Sequence, residues 1–322
     1  MKGKMNYQCV FPAEKLCLWR NVLKHIEQIT EIRIRIDKPV LIYLNQKEVS
    51  LDINGEFIYS VEKGYRFEYN ELQKLIDFWC MDSRYAFQEE LKKGFLTIKG
   101  GHRIGICGEV VYESKGNIQS IKYISSINIR IAHEIKGVAN SIIKYLYKKE
   151  NIASTLIISP PGMGKTTLLR DIIRMLSNGN EEKKGKNVAL VDERGEIAAC
   201  YQGIPQLDIG CRTDVLYGCD KENGMKMLLQ SMAPEVMAVD EVVTQNDRVL
   251  ISQMMGRGCA VIATMHGEVM INDLRYQEWF KSFEIIIFLS RQNNEFKTKL
   301  YKQEEVEKCK SSWESYLLLQ DL

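Results

Sequence analysis

The chain has 322 residues, 45% hydrophobic and 27% charged, the balance of a soluble globular protein with room for about two domains of ~150 residues. A formal net charge of +2 exerts no global pull toward nucleic acid or an anionic membrane, and nine cysteines without a C-x-x-C pair, beside only four histidines, exclude zinc spacing. The odd cysteine number also argues against a disulfide framework and leaves reduced thiols in a cytosolic protein as the expectation.

Along the first half the pattern is mixed α+β. Residues 12–29, "PAEKLCLWRNVLKHIEQI", carry apolar side chains at helical spacing, and "EIRIRID" (31–37) then alternates as a half-buried strand does. "VLIYL" follows the Pro39 break as a second strand. Helical spacing returns in "ELQKLIDFWC" (71–80) and "SRYAFQEELKKG" (83–94), followed by the glycine-punctuated strands "FLTIKGGHRIGICGEVVY" and "INIRIA". Residues 134–151, "EIKGVANSIIKYLYKKEN", read as a connecting helix. The expected organisation is an N-terminal α+β domain over 1–135, a connecting helix or linker over 136–152, a nucleotide-binding domain over 153–300 and a C-terminal tail over 301–322. The tail packs back on its domain or serves as a docking peptide, and its sequence does not separate the two.

In the second half, short apolar runs ("STLIIS", "NVALVD", "VMAVD", "CAVIAT", "EIIIFL") alternate with helical patterns, the signature of a mainly parallel sheet covered on both faces. The N-terminus lacks a signal-type apolar core, and "EIIIFL" falls short of the ~20 residues of a membrane span. No transmembrane segment is expected, so membrane association would come through partners.

The strongest motif is "TLIISPPGMGKTTLLRD". A strand, a glycine turn ending in Gly-Lys-Thr and a helix follow in order, as in a phosphate loop. Pro161, Gly162, Met163, Gly164, Lys165, Thr166 and Thr167 are the candidate nucleotide-binding residues. The glycines let backbone N–H groups converge on phosphate, and the helix N-terminus adds its partial positive charge. Lys165 is expected to reach the outer phosphates of ATP, and Thr166 to hold Mg2+. Ser159 stands where a glycine is usual. Asp240 and Glu241 end the strand "EVMAVDEV", where Asp240 fits magnesium binding and Glu241 the orientation of water; a helix-capping role is the alternative. Asp192, Glu193 and Glu196 in "VDERGE" form a second acidic set with the same alternative. Thr264 and His266 end "CAVIATMHG", where His266 senses the terminal phosphate or is an ordinary loop histidine. Arg103, Arg130, Arg194, Arg212 and Arg257 are all candidates for stabilising transition-state charge.

Several stretches together resemble the stage III sporulation AA family of secretion-ATPase-like proteins: "ISPPGMGKTTLLRD", "VDERGEIAACYQGIPQLDIGCRTDVLYGCDKENGMKMLLQSMAPEVMAVDE", "TMHG", "EIRIRIDKPV", "YAFQEELKKGFLTIKGGHRIGICG" and "ISSINIRIAHEIKG". The resemblance implies a RecA-like P-loop NTPase domain behind a smaller α+β domain. It places the acidic box on Asp192–Glu196 and the histidine box on His266–Gly267. It thereby adds Glu193 and His266 to Glu241 as catalytic candidates, with Arg103 and Arg130 as the N-terminal arginines that complete the site. It further implies an ATP- and Mg2+-dependent ring, a homo-hexamer, on the cytoplasmic mother-cell side, driving a membrane channel complex during endospore formation. "DEVVTQND" departs from the family's "DEIGTEED", and Gly195 stands in place of a serine. Two other readings remain: a nucleotide-gated scaffold with little turnover, and a RecA-type nucleic-acid motor. The near-neutral charge and the lack of an aromatic-basic strand speak against the motor on nucleic acid.

Overall fold

The computed structural model describes residues 9–81, 83–113, 116–267, 279–292 and 295–302. The expected tail lies outside the described residues from position 303 onward. The chain divides into two compact units, Met1–Glu134 with Ala199–Leu207, and Ile135–Ala198 with Asp208–Leu322.

In the first unit, α1 (Leu16–Lys24) precedes β1 (Ile29–Arg35), β2 (Leu41–Leu44), β3 (Lys47–Leu51) and β4 (Phe57–Ile58). α2 (Tyr69–Trp79) and α3 (Gln88–Lys92) follow, and then β5 (Phe95–Thr97), β6 (Arg103–Tyr112) and β7 (Ile118–Arg130). Among the described residues the strands form one sheet in the order β4-β3-β2-β1-β7-β6-β5. The alternation of "EIRIRID" sets its faces: Ile32 and Ile34 are buried with Ile104, Ile106, Ile127 and Ile129, while Glu31, Arg33 and Arg35 are not. α2 buries Leu72, Leu75, Ile76 and Trp79, the three- and four-residue spacing of one helical face. Trp19 of α1 stacks on Phe11 at 4.0 Å and fills the centre of this core. The segment Ala199–Leu207 belongs to the same unit, with Tyr201 packed on the core and the Gln206 side chain accepting from the Gly100 N–H at 2.8 Å.

The expected connecting helix over 134–151 is reduced to four residues, α4 (Ile143–Leu146). Gly137 takes a left-handed φ of +88°, and turns run on to Ile142. After α4 the chain becomes extended and forms a small hairpin, β8 (Tyr147–Lys148) with β9 (Asn151–Ile152), turned at Lys149 with φ +56°. Glycine weakens the start of the pattern, and a continuous helix cannot pass a left-handed residue.

The second unit continues with β10 (Thr155–Ser159), α5 (Lys165–Asn178), β11 (Val188–Asp192), β12 (Thr213–Tyr217), α6 (Lys221–Ser231), β13 (Val236–Val239), α7 (Gln245–Gly256), β14 (Ala260–His266), β15 (Ile285–Gln292) and β16 (Glu295–Lys302). Its sheet runs β12-β11-β13-β14-β10-β15-β16, parallel except for the β15–β16 pair. β10, β11 and β13 are buried along their whole length, as strands covered on both faces must be. β14 lies between β10 and β13, so the end of β14 stands between the loops that leave those two strands. Among the described residues no helix is long and apolar enough to cross a membrane.

Candidate functional site

The phosphate-loop pattern occupies the turn from β10 into α5. Gly162 and Gly164 have φ of +75° and +82°, a left-handed backbone that favours glycine, and a Cβ at either would enter open space. Here the loop leaves room for an anion at the N-terminus of a 14-residue helix. Pro161 is exposed, and Met163, Thr166 and Thr167 are half-buried around it. The Lys165 side chain folds back over the loop. Its Nζ donates to Ser159 O at 3.1 Å and Pro160 O at 3.2 Å, and it meets His266 Nδ1 at 3.1 Å. Burial pushes its pKa below the usual lysine value, against the pull of Asp240 and Glu241. Ser159 is fully buried, and its backbone carbonyl also accepts the Gly267 N–H, so the small residue at this position ties the loop to the end of β14.

Asp240 and Glu241 follow β13. Asp240 accepts from the Thr166 hydroxyl at 3.3 Å and from the buried Thr264 hydroxyl. Thr264 in turn accepts the Glu241 N–H at 2.8 Å. Glu241 has φ +54°, unusual for a residue with a side chain, and its carbonyl accepts from Lys221 Nζ at 2.6 Å. One carboxylate oxygen lies 3.1 Å from His266 Nε2 and the other 2.9 Å from Arg194 Nη1. An ammonium only donates, so His266 accepts at Nδ1 and carries its proton at Nε2, toward Glu241. Lys165, His266, Glu241 and Arg194 thus form one unbroken chain.

The acidic set after β11 divides into two roles. Asp192 is buried, and its carboxylate collects the N–H groups of Glu196, Ile197 and Ala198 at 3.0, 3.1 and 2.9 Å. Burial, reinforced by the Asp240 charge, pushes its pKa up against those three bonds. Asp192 therefore shapes the loop. Glu193 faces Lys221, 3.3 Å from its Nζ, so Lys221 joins the loop after β11 to the backbone of Glu241. No motif announced Lys221: it is the first residue of α6, one lysine among many in the sequence.

Arg103 and Arg130 lie in the first unit as direct cross-strand partners on β6 and β7. The Arg103 guanidinium sits 3.7 Å from the centre of the Phe95 ring, and Arg130 pairs across β1 with Glu31. Arg212 donates to Ser177 O at 3.0 Å, occupying a carbonyl at the end of α5, and Arg257 is exposed at the end of α7. "DEVVTQND" starts α7 through a reciprocal cap. Thr244 accepts the Asp247 N–H at 3.0 Å, and Asp247 accepts that of Thr244 at 3.0 Å.

The parallel sheet, the phosphate loop and the acidic strand ends define the chain as having a P-loop NTPase fold. It superposes on the Legionella pneumophila ATPase DotB with a TM-score of 0.54 at 15% identity, over 91% of this chain and 83% of that one. For the pilus retraction motor PilT with bound ADP the TM-score is 0.57 at 14% identity, over 94% and 89%. The sequence is 41% identical over 240 residues to stage III sporulation protein AA of Bacillus subtilis (strain 168), covering 74% of each chain. Residues 9–295 match the family described as sporulation stage III, protein AA, and the chain belongs to that family.

Proposed function

We propose that the chain is a Mg2+-dependent ATPase that assembles as a ring, a homo-hexamer, and drives a membrane channel complex during endospore formation. It docks peripherally from the cytoplasmic side, on the mother-cell face of that complex. The observation that carries the reading is the continuous contact from Lys165 through His266 to Glu241, with Thr166 and Asp240 beside it. Such a set joins a phosphate-binding cation to the carboxylate that would orient water.

The residues fit the groups they would take. The open loop at Gly162 and Gly164 has room for phosphate, with Lys165 above it. Thr166 and Asp240 offer the hydroxyl and carboxylate that Mg2+ takes beside phosphate oxygens, and the ion would supply charge neutralisation there. Glu241 accepts hydrogen bonds from water and holds it in line; His266 fixes the direction of that carboxylate while contacting Lys165. Glu193 acts through Lys221 on the Glu241 backbone. Arg103 and Arg130 stand opposite each other on β6 and β7 and supply positive charge to the site of a ring. DotB is an ATPase and PilT a pilus retraction motor with bound ADP by their descriptions, and this chain shares their fold.

The test is steady-state ATP hydrolysis over a range of protein concentrations, with light scattering on the same samples. Activity per chain rising with the larger species supports a site completed in a ring. Measurable activity that stays flat in a monomeric chain contradicts the ring.

A further inference from the structure

The segment between β11 and β12 carries Arg194, one of five arginines whose motifs suit them to stabilise phosphate charge. Arg194 sits at the tip of a turn closed by the Gly195 N–H on Asp192 O at 3.2 Å. Beneath the tip, the buried Asp192 carboxylate gathers the next three N–H groups, so the turn is mounted firmly on the end of β11. Val191 pairs with Val239 in the parallel register, which sets this turn beside the turn that carries Asp240 and Glu241. Gly195 has φ +65° with open space around it, and the Arg194 side chain is 63% exposed.

An ion pair this exposed contributes little to stability, so holding the fold does not account for it. Its place does. One guanidinium nitrogen meets Glu241, and Glu241 is one imidazole away from Lys165. The planar fork has further N–H donors, and a guanidinium matches the geometry of phosphate oxygens. Two cations thus flank the Glu241–His266 pair, one from the phosphate loop and one from the acidic loop.

We propose that Arg194 reads the terminal phosphate of ATP within its own chain, using the guanidinium that is anchored on Glu241. The inference rests on the nucleotide reading of this site and adds to it a residue separate from Arg103 and Arg130. Arg194 then distinguishes a nucleoside triphosphate from a diphosphate and reports the difference directly to the carboxylate that would orient water.

Equilibrium binding tests this without any need for turnover. Wild type, Arg194→Gln and Arg194→Lys are titrated with ADP and with a non-hydrolysable ATP analogue, each with Mg2+. Loss of one charge-assisted contact corresponds to roughly tenfold weaker binding. Arg194→Gln is expected to bind the analogue about tenfold more weakly with ADP affinity unchanged, which also shows that the variant is folded. Arg194→Lys is expected to fall between the two. An unchanged ratio of the two affinities in Arg194→Gln overturns the proposal, as does equal weakening of both ligands. A wild-type chain that binds neither ligand overturns the nucleotide reading itself, and the role of Arg194 with it.

Discussion

Thr264 is a fully buried joint of the polar network, and replacing it by valine keeps its bulk while removing one hydroxyl. That hydroxyl donates to Asp240 and accepts the Glu241 N–H at 2.8 Å, in a side chain with no exposed surface. A hydrogen bond to a charged group is worth about 1.5–3 kcal/mol, and stranding a buried N–H costs about 1–3 kcal/mol. Asp240 keeps its contact with Thr166 at 3.3 Å, and Glu241 is only half-buried, so the lower part of both ranges applies. The expected loss for Thr264→Val is about 3 kcal/mol of the second unit's stability. With a urea dependence of about 2 kcal/mol per molar, the midpoint should fall by ~1.5 M. Thr264→Ser keeps the hydroxyl, sheds one methyl group and should lose about 1 kcal/mol. Urea unfolding of the full chain, fitted for separate transitions, reads both variants. If valine costs no more than serine, the hydroxyl does not hold the two acidic residues and the reasoning fails.

Three further outcomes follow from individual positions. Burial lowers the His102 pKa from 6.5 to about 4, with the charge of His133 adding to the effect. The fold therefore penalises the charged imidazole: its stabilising contribution is complete above about pH 6.5 and is lost as pH falls toward 4, up to about 3 kcal/mol. His102→Asn keeps an acceptor for the Ala132 N–H and should flatten that part of the stability–pH curve, measured by denaturation at pH 7 and pH 5. Gly164→Ala forces a side chain onto a residue at φ +82° and places a methyl group in the loop. Titration with a fluorescent nucleotide should show at least tenfold weaker binding with a stability loss of only about 1 kcal/mol. Asp192→Asn leaves one oxygen where two now serve three N–H groups. It should cost about 2 kcal/mol and raise proteolytic cleavage between 193 and 198, and resistance equal to wild type would show that the carboxylate does not organise that loop.

Local pattern carried much of this structure because local chemistry produced it. In β1 the isoleucines that alternate with charge are the ones buried, and the strand, glycine turn and helix around Lys165 occur in the order their sequence requires. Where the outcome depended on distant partners, the pattern failed. Residues 134–151 have helical spacing, yet Gly137 turns left-handed and the end of the segment pairs as a hairpin. The excursion of Ala199–Leu207 into the first unit has no signature, because it depends on contacts with Gly100 and the core around Tyr201. Asp192 and Glu193 are adjacent acids of similar chemistry, and only burial separates the loop-forming one from the one facing Lys221. Lys221 and Arg194 became meaningful through neighbours 20 and 47 positions away in the chain, the separations from Glu241.

The central claim is that Glu241 orients the water that attacks ATP bound over Lys165. It is tested most directly by measuring phosphate release and nucleotide affinity together in wild type, Lys165→Ala and Glu241→Gln, with a wild-type-like circular dichroism spectrum required of each. The account predicts release by wild type, loss of both binding and release in Lys165→Ala, and retained binding with at least a hundredfold slower release in Glu241→Gln. Release at the wild-type rate in Glu241→Gln would contradict it.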